Sequence, residues 1–171
     1  MSDLLRRIAR LRVPLGFAFS LLAIWLAEPT PRTLQAGAII VFAGELVRIW
    51  AAGHLEKGRE VTSSGPYRFT RHPLYAGSTL IGVGLAVASA SVVVATLVIV
   101  YLAVTLTAAI RTEEAHLTEK FGAEYPNYRE GKGSGAQRRF SMERALRNRE
   151  YRAVIGLSVV LAVLSWKAFG G

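Results

Sequence analysis

Residues 74–110 contain no charged side chain. As one α-helix, this segment would be about 55 Å long at about 1.5 Å per residue. The hydrocarbon core of a bilayer is only about 30 Å thick. The segment must therefore fold back on itself, and the small polar run at 88–91 is the natural turn. We expect a helical hairpin with spans near 73–89 and 92–110.

Three further apolar blocks accompany the hairpin. They lie at 13–27, 34–50 and 153–166, and the turn-rich sequence EPTPRT separates the first two. Apolar residues make up 51% of the chain and are concentrated in these blocks. We therefore expect an all-α integral membrane protein with about five transmembrane helices, built around the hairpin at about 73–110.

The length of 171 residues is that of one domain. We expect a single membrane domain over 1–171, and the apolar blocks divide it into three parts. An N-terminal two-helix unit covers 1–50. A core at 51–130 holds the charged motifs described below, and 131–171 holds a basic segment and the last helix.

The basic residues are distributed asymmetrically. All of the 21 Lys and Arg residues except Arg32 and Lys167 lie in the N-terminal tail, in 48–72 or in 111–152. Five spans would place these three segments on one side of the membrane, and the positive-inside rule assigns that side to the cytoplasm. We therefore expect a cytoplasmic N-terminus and cytoplasmic charged loops, with the C-terminus on the opposite side.

Composition and spacing exclude several kinds of site. The chain has no cysteine, so it forms neither disulfides nor thiolate metal sites. Its three histidines, His54, His72 and His116, lack metal-ligand spacing, and we expect no metal. The formal charge of +9 lies beside apolar blocks and not within a nucleic-acid-binding motif. We therefore expect membrane lipids, and not nucleic acid, as partners.

The sequence GPYRFTRHPLYAG, at 65–77, places two arginines and a histidine just before the uncharged segment. Pro73 suits the first position of a helix, because the N–H that it lacks would have no partner there. Arg71 and His72 then lie at the helix N-terminus, where free N–H groups favour an anion. Tyr75 follows His72 at i+3 and shares its helix face. The pattern indicates an anion-binding helix end, and the simpler alternative is a basic anchor for lipid head groups.

Two carboxylates face this helix end from the next span. Residues 111–130, RTEEAHLTEKFGAEYPNYRE, continue the second hairpin helix beyond the membrane. The adjacent Glu113 and Glu114 are costly to keep at a bilayer without partners. The hairpin brings them to the same side as Arg71 and His72, so we expect the opposite charges to meet.

Aromatic residues complete the predicted pocket. Phe121, Tyr125 and Tyr128 follow the glutamates at helical spacing, and the Gly-Pro turn at 65–66 brings Tyr67 to the same place. A helix N-terminus, paired carboxylates and aromatic walls would fit a zwitterionic cofactor that carries a ring.

The sequence SGPYRFTRHPLYAG, followed after the uncharged hairpin by EEAHLTEKFGAEYPNY, resembles the isoprenylcysteine carboxyl methyltransferase family and the related membrane phospholipid N-methyltransferases. The resemblance covers about 45–130. It implies an integral membrane enzyme that uses S-adenosylmethionine on the cytoplasmic side. The cofactor-binding residues would be Tyr67, Arg71, His72, Tyr75, Glu113 and Glu114. Two of these, Arg71 and Glu114, would also be the catalytic residues.

This resemblance predicts O-methylation of a carboxylate on a lipid-like or prenylated acceptor that enters from the bilayer. Methylation of a phospholipid amine is one alternative. An NADPH-dependent reductase of the sterol type is another, because its C-terminal arrangement is similar. A third is a membrane protein that binds lipid without catalysis.

Three further polar or small-residue patterns allow more than one interpretation. Glu45 and Arg48, at i and i+3, are expected to neutralise each other. The basic residues after the core are expected to bind anionic lipid or else to cap the pocket. These residues are Arg147, Arg149 and Arg152, together with Glu150.

Gly77 and Gly84 lie beside a packing stripe of small residues and are expected to leave room for a ligand. The stripe consists of Ser78, Gly82, Ala86 and Ala90.

Overall fold

The computed structural model of the protein describes residues 16–132 and 137–170. Most of these residues are helical, and no β-strand occurs among them. The basic N-terminal tail, the start of the apolar block expected at 13–27, and 133–136 lie outside the described residues. The α-helices are α1 (Gly16–Leu26), α2 (Pro31–His54), α3 (Pro73–Ser89), α4 (Val92–Phe121), α5 (Glu124–Arg129), α6 (Met142–Arg147) and α7 (Tyr151–Gly170).

The central hairpin predicted from the uncharged segment is confirmed. α3 and α4 are joined at Ala90, whose left-handed backbone (φ 50°) reverses the chain. Ser91 then begins α4, because its hydroxyl accepts a hydrogen bond from Val94 N at 3.4 Å. α4 continues well beyond the span expected at 92–110. At the other end of the hairpin, Pro73 is the first residue of α3, as predicted.

The apolar helices differ in length. α2, α4 and α7 are long and apolar enough to cross a membrane, whereas α1 and α3 are apolar but shorter. α3 has 17 residues, which at about 1.5 Å per residue gives about 26 Å, slightly less than the hydrocarbon core. The predicted all-helical membrane fold is confirmed, and each of the five apolar blocks forms a helix. Three of these five helices have the length of a full span.

One end of the bundle is closed by contacts between helix termini. Lys167 of α7 donates hydrogen bonds to the carbonyl groups of Ile24 and Ala27, at 2.9 and 2.6 Å, where α1 ends. Glu28 N donates to Ser89 O, at the end of α3, at 2.8 Å. The helices therefore alternate in direction. The C-termini of α2 and α4 and the N-termini of α3 and α7 lie at the opposite end, which we call the charged end.

α2 and α3 pack backbone to backbone through glycines. A Cβ atom added to Gly77 would lie 2.7 Å from Gly44 O, and one added to Gly84 would lie 2.7 Å from Gly37 O. The expectation that Gly77 and Gly84 leave room for a ligand is therefore wrong. They allow two helices to approach closely, which is the common role of small residues in membrane proteins. Gly82, which belongs to the predicted packing stripe, faces α4 instead.

Residues 137–150, which we call the strap, fold across the C-terminal end of α2. Ser141 N donates a hydrogen bond to Gly53 O at 3.0 Å. The Asn148 side chain donates to Ala52 O and Leu55 O, both at 2.9 Å. Carbonyl groups in the last turn of a helix have no partner within that helix. The strap therefore supplies the missing donors to α2.

His54 is the last residue of α2. It is buried, and its Nδ1 lies 3.0 Å from Trp50 O. The ring of Phe140, in the strap, lies 6.0 Å from the His54 ring between centroids. His54 therefore belongs to the packing between α2 and the strap.

The strap is also held by ion pairs to the loop after α2. Arg144 and Arg147 contact the same carboxylate of Glu56, at 2.9 and 2.8 Å, and Arg138 contacts Glu60 at 2.6 Å. These ion pairs neutralise Arg138, Arg144 and Arg147 within the chain. Fewer basic residues of this segment therefore remain for the expected binding to anionic lipid.

The residues for which we expected lipid binding separate into two groups. Arg147 pairs with Glu56, and Glu150 contacts Arg48 at 2.8 Å. Arg149 and Arg152 are exposed. Lipid binding stays a prediction for these two arginines.

The ion pairs of Glu56 predict a dependence of stability on pH. The hydrogen bond from Arg144, assisted by the charge of Arg147, lowers the pKa of Glu56 below its ordinary value. Their stabilisation should be complete above the ordinary glutamate pKa and should be lost as the pH falls through the lowered one. We expect the Tm in detergent to fall between about pH 6 and pH 3.5 by less in Glu56→Gln than in the parent protein. Glu119→Gln, an exposed site without an ion pair among the described residues, is the control. An equal fall in both variants would contradict the prediction.

Candidate functional site

The start of α3 presents Arg71 and His72 at the charged end. His72 precedes the helix as its N-cap, and its carbonyl accepts hydrogen bonds from Tyr75 N and Ala76 N, each at 3.0 Å. Pro73 occupies the first helical position, so α3 begins where the sequence predicts. Arg71 and His72 therefore lie at a helix N-terminus, with its partial positive charge beside them.

Glu114 of α4 binds both of these residues. His72 Nε2 donates to Glu114 Oε1 at 3.0 Å, and Arg71 Nη1 lies 3.5 Å from the same oxygen. The expected meeting of opposite charges across the hairpin is therefore present. The Arg71 side chain is 44% exposed, and its other guanidinium nitrogens have no partner among the described residues. Donors thus remain for an anionic group.

Glu113 also faces this region. The Tyr75 hydroxyl donates to Glu113 Oε2 at 2.7 Å, and the Tyr75 and His72 rings stack with centroids 5.7 Å apart. Glu113 and Glu114 both face the site, although successive residues on a helix point about 100° apart. The site therefore curves around the polar end of α4 and engages α3 through both carboxylates.

Tyrosines line the same region from α5 and from the 3₁₀ turn at Gly65–Arg68. Tyr128 OH donates to Tyr67 O at 2.7 Å, which ties α5 to this turn. Tyr125 is 3% exposed, and its hydroxyl lies beside the Glu114 carboxylate. Burial and then the charge of Glu114 raise the pKa of Tyr125 to about 12. Its hydroxyl therefore keeps its proton at neutral pH and can donate to a ligand.

A second polar cluster lies beside the first. Arg48 of α2 donates to Glu150 Oε2 at 2.8 Å through Nη2 and to Ser78 Oγ at 2.6 Å through Nη1. Its contact with Glu45 is longer, 3.6 Å. The expected pairing of Glu45 with Arg48 is thus present, but Glu150 is the nearer partner. Sequence reasoning missed this partner, because Glu150 lies in the segment whose path across α2 no local pattern indicates.

Tyr67 lies near both clusters. Its ring is buried, and burial raises the pKa of its hydroxyl. The charge of Glu113 and, more weakly, the charge of Glu150 raise that pKa further. The Arg48 cluster is therefore a neighbour of the Tyr75–Glu113 contact.

An apolar groove of about 500 Å³ runs along α3 and α4. Its lining includes Thr79, Val83, Leu102 and Ile110. Thr79 lies one turn after Tyr75 on α3, and Ile110 lies one turn before Glu114 on α4. The groove thus begins next to the charged residues and continues along the apolar part of the hairpin.

The structure brings all six sequence-predicted site residues to the charged end. Arg71 and His72 meet Glu114, Tyr75 meets Glu113, and Tyr67 lies near both polar clusters. Among the described residues, no group of three or more His, Cys, Asp or Glu side chains could hold a metal ion.

Comparison with known proteins gives one family and two relatives. A family model described as phospholipid methyltransferase matches residues 12–124. The cobalt-zinc-cadmium resistance protein CzcN of Cupriavidus metallidurans is 32% identical over 94 residues, which cover 54% of this chain and 44% of that protein. The nickel-cobalt-cadmium resistance protein NccN of Alcaligenes xylosoxydans xylosoxydans is 31% identical over 97 residues, 56% of this chain and 45% of that protein. The chain thus matches less than half the length of these relatives. No solved structure matches it.

Proposed function

The chain belongs to the phospholipid methyltransferase family, and from this premise we propose that it transfers the methyl group of S-adenosylmethionine to the polar end of a lipid-like acceptor. The resemblance seen in the sequence is confirmed at the level of the family. The family is one of membrane methyltransferases, and the apolar helices are those of a multi-pass integral membrane protein. The cofactor, the acceptor and the residue roles are our proposal.

The observation that carries the proposal is the convergence of Arg71, His72 and Tyr75 with Glu113 and Glu114 at one helix N-terminus. This set of donors and acceptors fits a zwitterionic cofactor. Arg71, beside the partial positive charge of the α3 N-terminus, would bind a carboxylate. Glu114 would accept hydrogen bonds from an ammonium or from ribose hydroxyls. The buried Tyr125 hydroxyl, beside Glu114, supplies one further donor.

The reaction needs positioning more than acid–base chemistry. S-adenosylmethionine supplies an electrophilic methyl group on a sulfonium. Holding two reactants in an attacking geometry can lower a barrier by about 7–11 kcal/mol. Tyr67 and Tyr75 would form walls that exclude water from the reacting centre, and Arg71 and Glu114 would fix the orientation of the cofactor.

The acceptor would place its apolar part in the groove between α3 and α4. This groove is lined by apolar residues and opens beside Tyr75 and Glu114, so a tail lying in it would bring a polar head group to the charged end. The resemblance predicts a carboxylate head group and O-methylation. An amine head group and N-methylation form the second candidate, and the charges favour it. The two clusters contain four carboxylates (Glu45, Glu113, Glu114 and Glu150) but only two guanidinium groups.

Calorimetric titration of the detergent-purified chain tests the proposal. S-adenosylmethionine and S-adenosylhomocysteine should bind, and NADPH should not. Arg71→Ala should weaken both interactions about tenfold or more, since one charge-assisted contact is worth about 1.5–3 kcal/mol. Arg32→Ala, an exposed arginine in the first turn of α2 at the opposite end of the bundle, is the matched control. Binding of NADPH alone would indicate a reductase, and absence of binding by folded protein would indicate a lipid-binding protein.

A further inference from the structure

The short helix α5 turns one face toward the bundle and leaves the other in solvent. It buries Tyr125, and Tyr128 is half-buried beside it, with the two ring centroids 6.3 Å apart. Glu124, Asn127 and Arg129 are exposed. A helix of only six residues is not stable by itself in water. The contacts of its two tyrosines therefore contribute much of what holds α5 in place.

These two tyrosines face the residues proposed to bind the cofactor. The Tyr125 hydroxyl lies beside the Glu114 carboxylate. Burial raises the pKa of Tyr128, and the nearby charge of Arg71 opposes that shift. Both side chains of α5 thus approach the Arg71–Glu114 contact. α5 covers this contact from the side opposite α3, on which Arg71 is presented.

One hydrogen bond joins α5 to the turn that leads to Arg71. The Tyr128 hydroxyl donates to Tyr67 O at 2.7 Å, across 61 positions of the chain. Tyr67 belongs to the 3₁₀ turn at Gly65–Arg68. A neutral hydrogen bond of this kind changes an equilibrium by about two- to tenfold. The contact is therefore strong enough to favour one position of α5 and weak enough to open readily.

A glycine lies at each end of α5. Gly122, between α4 and α5, has φ 52° and ψ −127°, and Gly131, just after α5, has φ 70°. Glycine adopts such conformations without strain. A Cβ atom added to either glycine would meet nothing within 4 Å, so neither backbone position is held by packing. Positions of this kind can absorb the changes of φ and ψ that a moving segment requires.

We propose that α5 is a lid over the candidate site, that it turns about Gly122 and Gly131, and that Tyr128 is the latch that closes it on Tyr67. The identity of the covered ligand, S-adenosylmethionine, rests on the proposed function, and the lid specifies how that site admits and retains it. Opening separates Tyr125 from Glu114 and exposes the site to the cytoplasm. Closing places both tyrosines over the bound cofactor and excludes water. Tyr128 is thus a positioning residue.

Distances between spin labels test the motion of the lid. The chain has no cysteine, so introduced cysteines take the labels specifically. The labels are attached to Asn127→Cys on α5 and Glu143→Cys on α6, both exposed positions. Double electron–electron resonance on the full chain in lipid nanodiscs should show a closed and an open population. Tyr128→Phe, which removes only the latch hydroxyl, should shift the ratio toward the open population about fivefold.

A second variant and a matched control complete this measurement. Gly122→Ala should also favour the open population, because alanine does not readily adopt the backbone conformation of the closed lid. The control pair moves the first label to Glu119→Cys, an exposed position of α4 that precedes Gly122. Its distance to Glu143→Cys should be single and equal in the parent and in both variants.

Binding kinetics test what the lid covers. S-adenosylhomocysteine should move the labelled α5 toward the closed population. In stopped-flow measurements, Tyr128→Phe should raise the dissociation rate of this probe about fivefold and change its association rate less. A purely structural role of Tyr128 would instead lower Tm without this separation of the two rates.

Each contrary result has a distinct meaning. One unchanged distance between positions 127 and 143 in the parent and both variants would overturn the lid, and so would equal movement of the control pair. Binding of S-adenosylhomocysteine without a change in the populations would show that α5 does not close over the cofactor. Failure of folded parent protein to bind this probe would overturn the methyltransferase function, while the distances in the two variants would still decide whether α5 moves.

Discussion

Replacing Glu114 by Gln is expected to lower kcat/KM for S-adenosylmethionine by about 100-fold or more. The carboxylate accepts from His72 at 3.0 Å and lies 3.5 Å from Arg71 through the same oxygen. Hydrogen bonds to charged groups contribute about 1.5–3 kcal/mol, and 100-fold corresponds to about 2.7 kcal/mol. An amide keeps one acceptor but loses the charge that holds Arg71 and His72 at the helix end. Labelled methyl transfer and calorimetric titration measure the effect.

The neighbouring glutamate provides an internal comparison for this variant. Glu113 accepts one hydrogen bond, from the Tyr75 hydroxyl at 2.7 Å, and the amide oxygen of Gln can still accept it. Glu113→Gln should therefore cost about tenfold or less. Glu119→Gln, exposed on the same helix, should have no effect. Equal losses in Glu113→Gln and Glu114→Gln would show that the ion contacts of Glu114 have no special role in binding the cofactor.

Replacing Gly84 by Leu is expected to prevent stable assembly of the helix bundle. A Cβ atom at this position would lie 2.7 Å from both Gly37 O and Val41 N, which are backbone atoms of α2. Overpacking of a core costs about 1–3 kcal/mol when side chains can move aside, and a helix backbone cannot do so. We expect loss of the monodisperse peak in size-exclusion chromatography, or a Tm lower by more than about 10 °C.

The matched control for this variant is Gly156→Leu on α7. A Cβ atom at Gly156 would meet nothing within 4 Å, so the added side chain should be tolerated. Both substitutions add the same apolar volume to a membrane-facing helix. Similar behaviour of the two variants would contradict the close packing of α2 against α3.

Local patterns predicted the hairpin and the residues that meet across it. The uncharged length forced a reversal, and Pro73 fixed the start of α3. The hairpin then required Glu113 and Glu114 to face Arg71 and His72. Each of these predictions follows from residues that are adjacent in sequence or from the length and start of one helix. The sequence alone was therefore enough to predict them.

Contacts between distant segments were not predictable in the same way. Glu150 binds Arg48 from a segment with no apolar periodicity, and the strap reaches α2 through hydrogen bonds to backbone carbonyls, which any residue offers. The roles of Gly77 and Gly84 were misassigned for a related reason. Glycine spacing on one helix shows that something approaches closely, but it does not show whether that is a ligand or a neighbouring backbone.

Polar contacts hold α7 near both of its ends. Glu150 binds Arg48 just before α7 begins, and Lys167 binds the end of α1 near its other terminus. The chain between these two anchors spans about 26 Å at about 1.5 Å per residue. A helix fixed in this way has little freedom to tilt, which is the usual response to a bilayer of unsuitable thickness. Because one anchor is the Arg48 cluster itself, a change in bilayer thickness would act directly on the arrangement of charges beside the site.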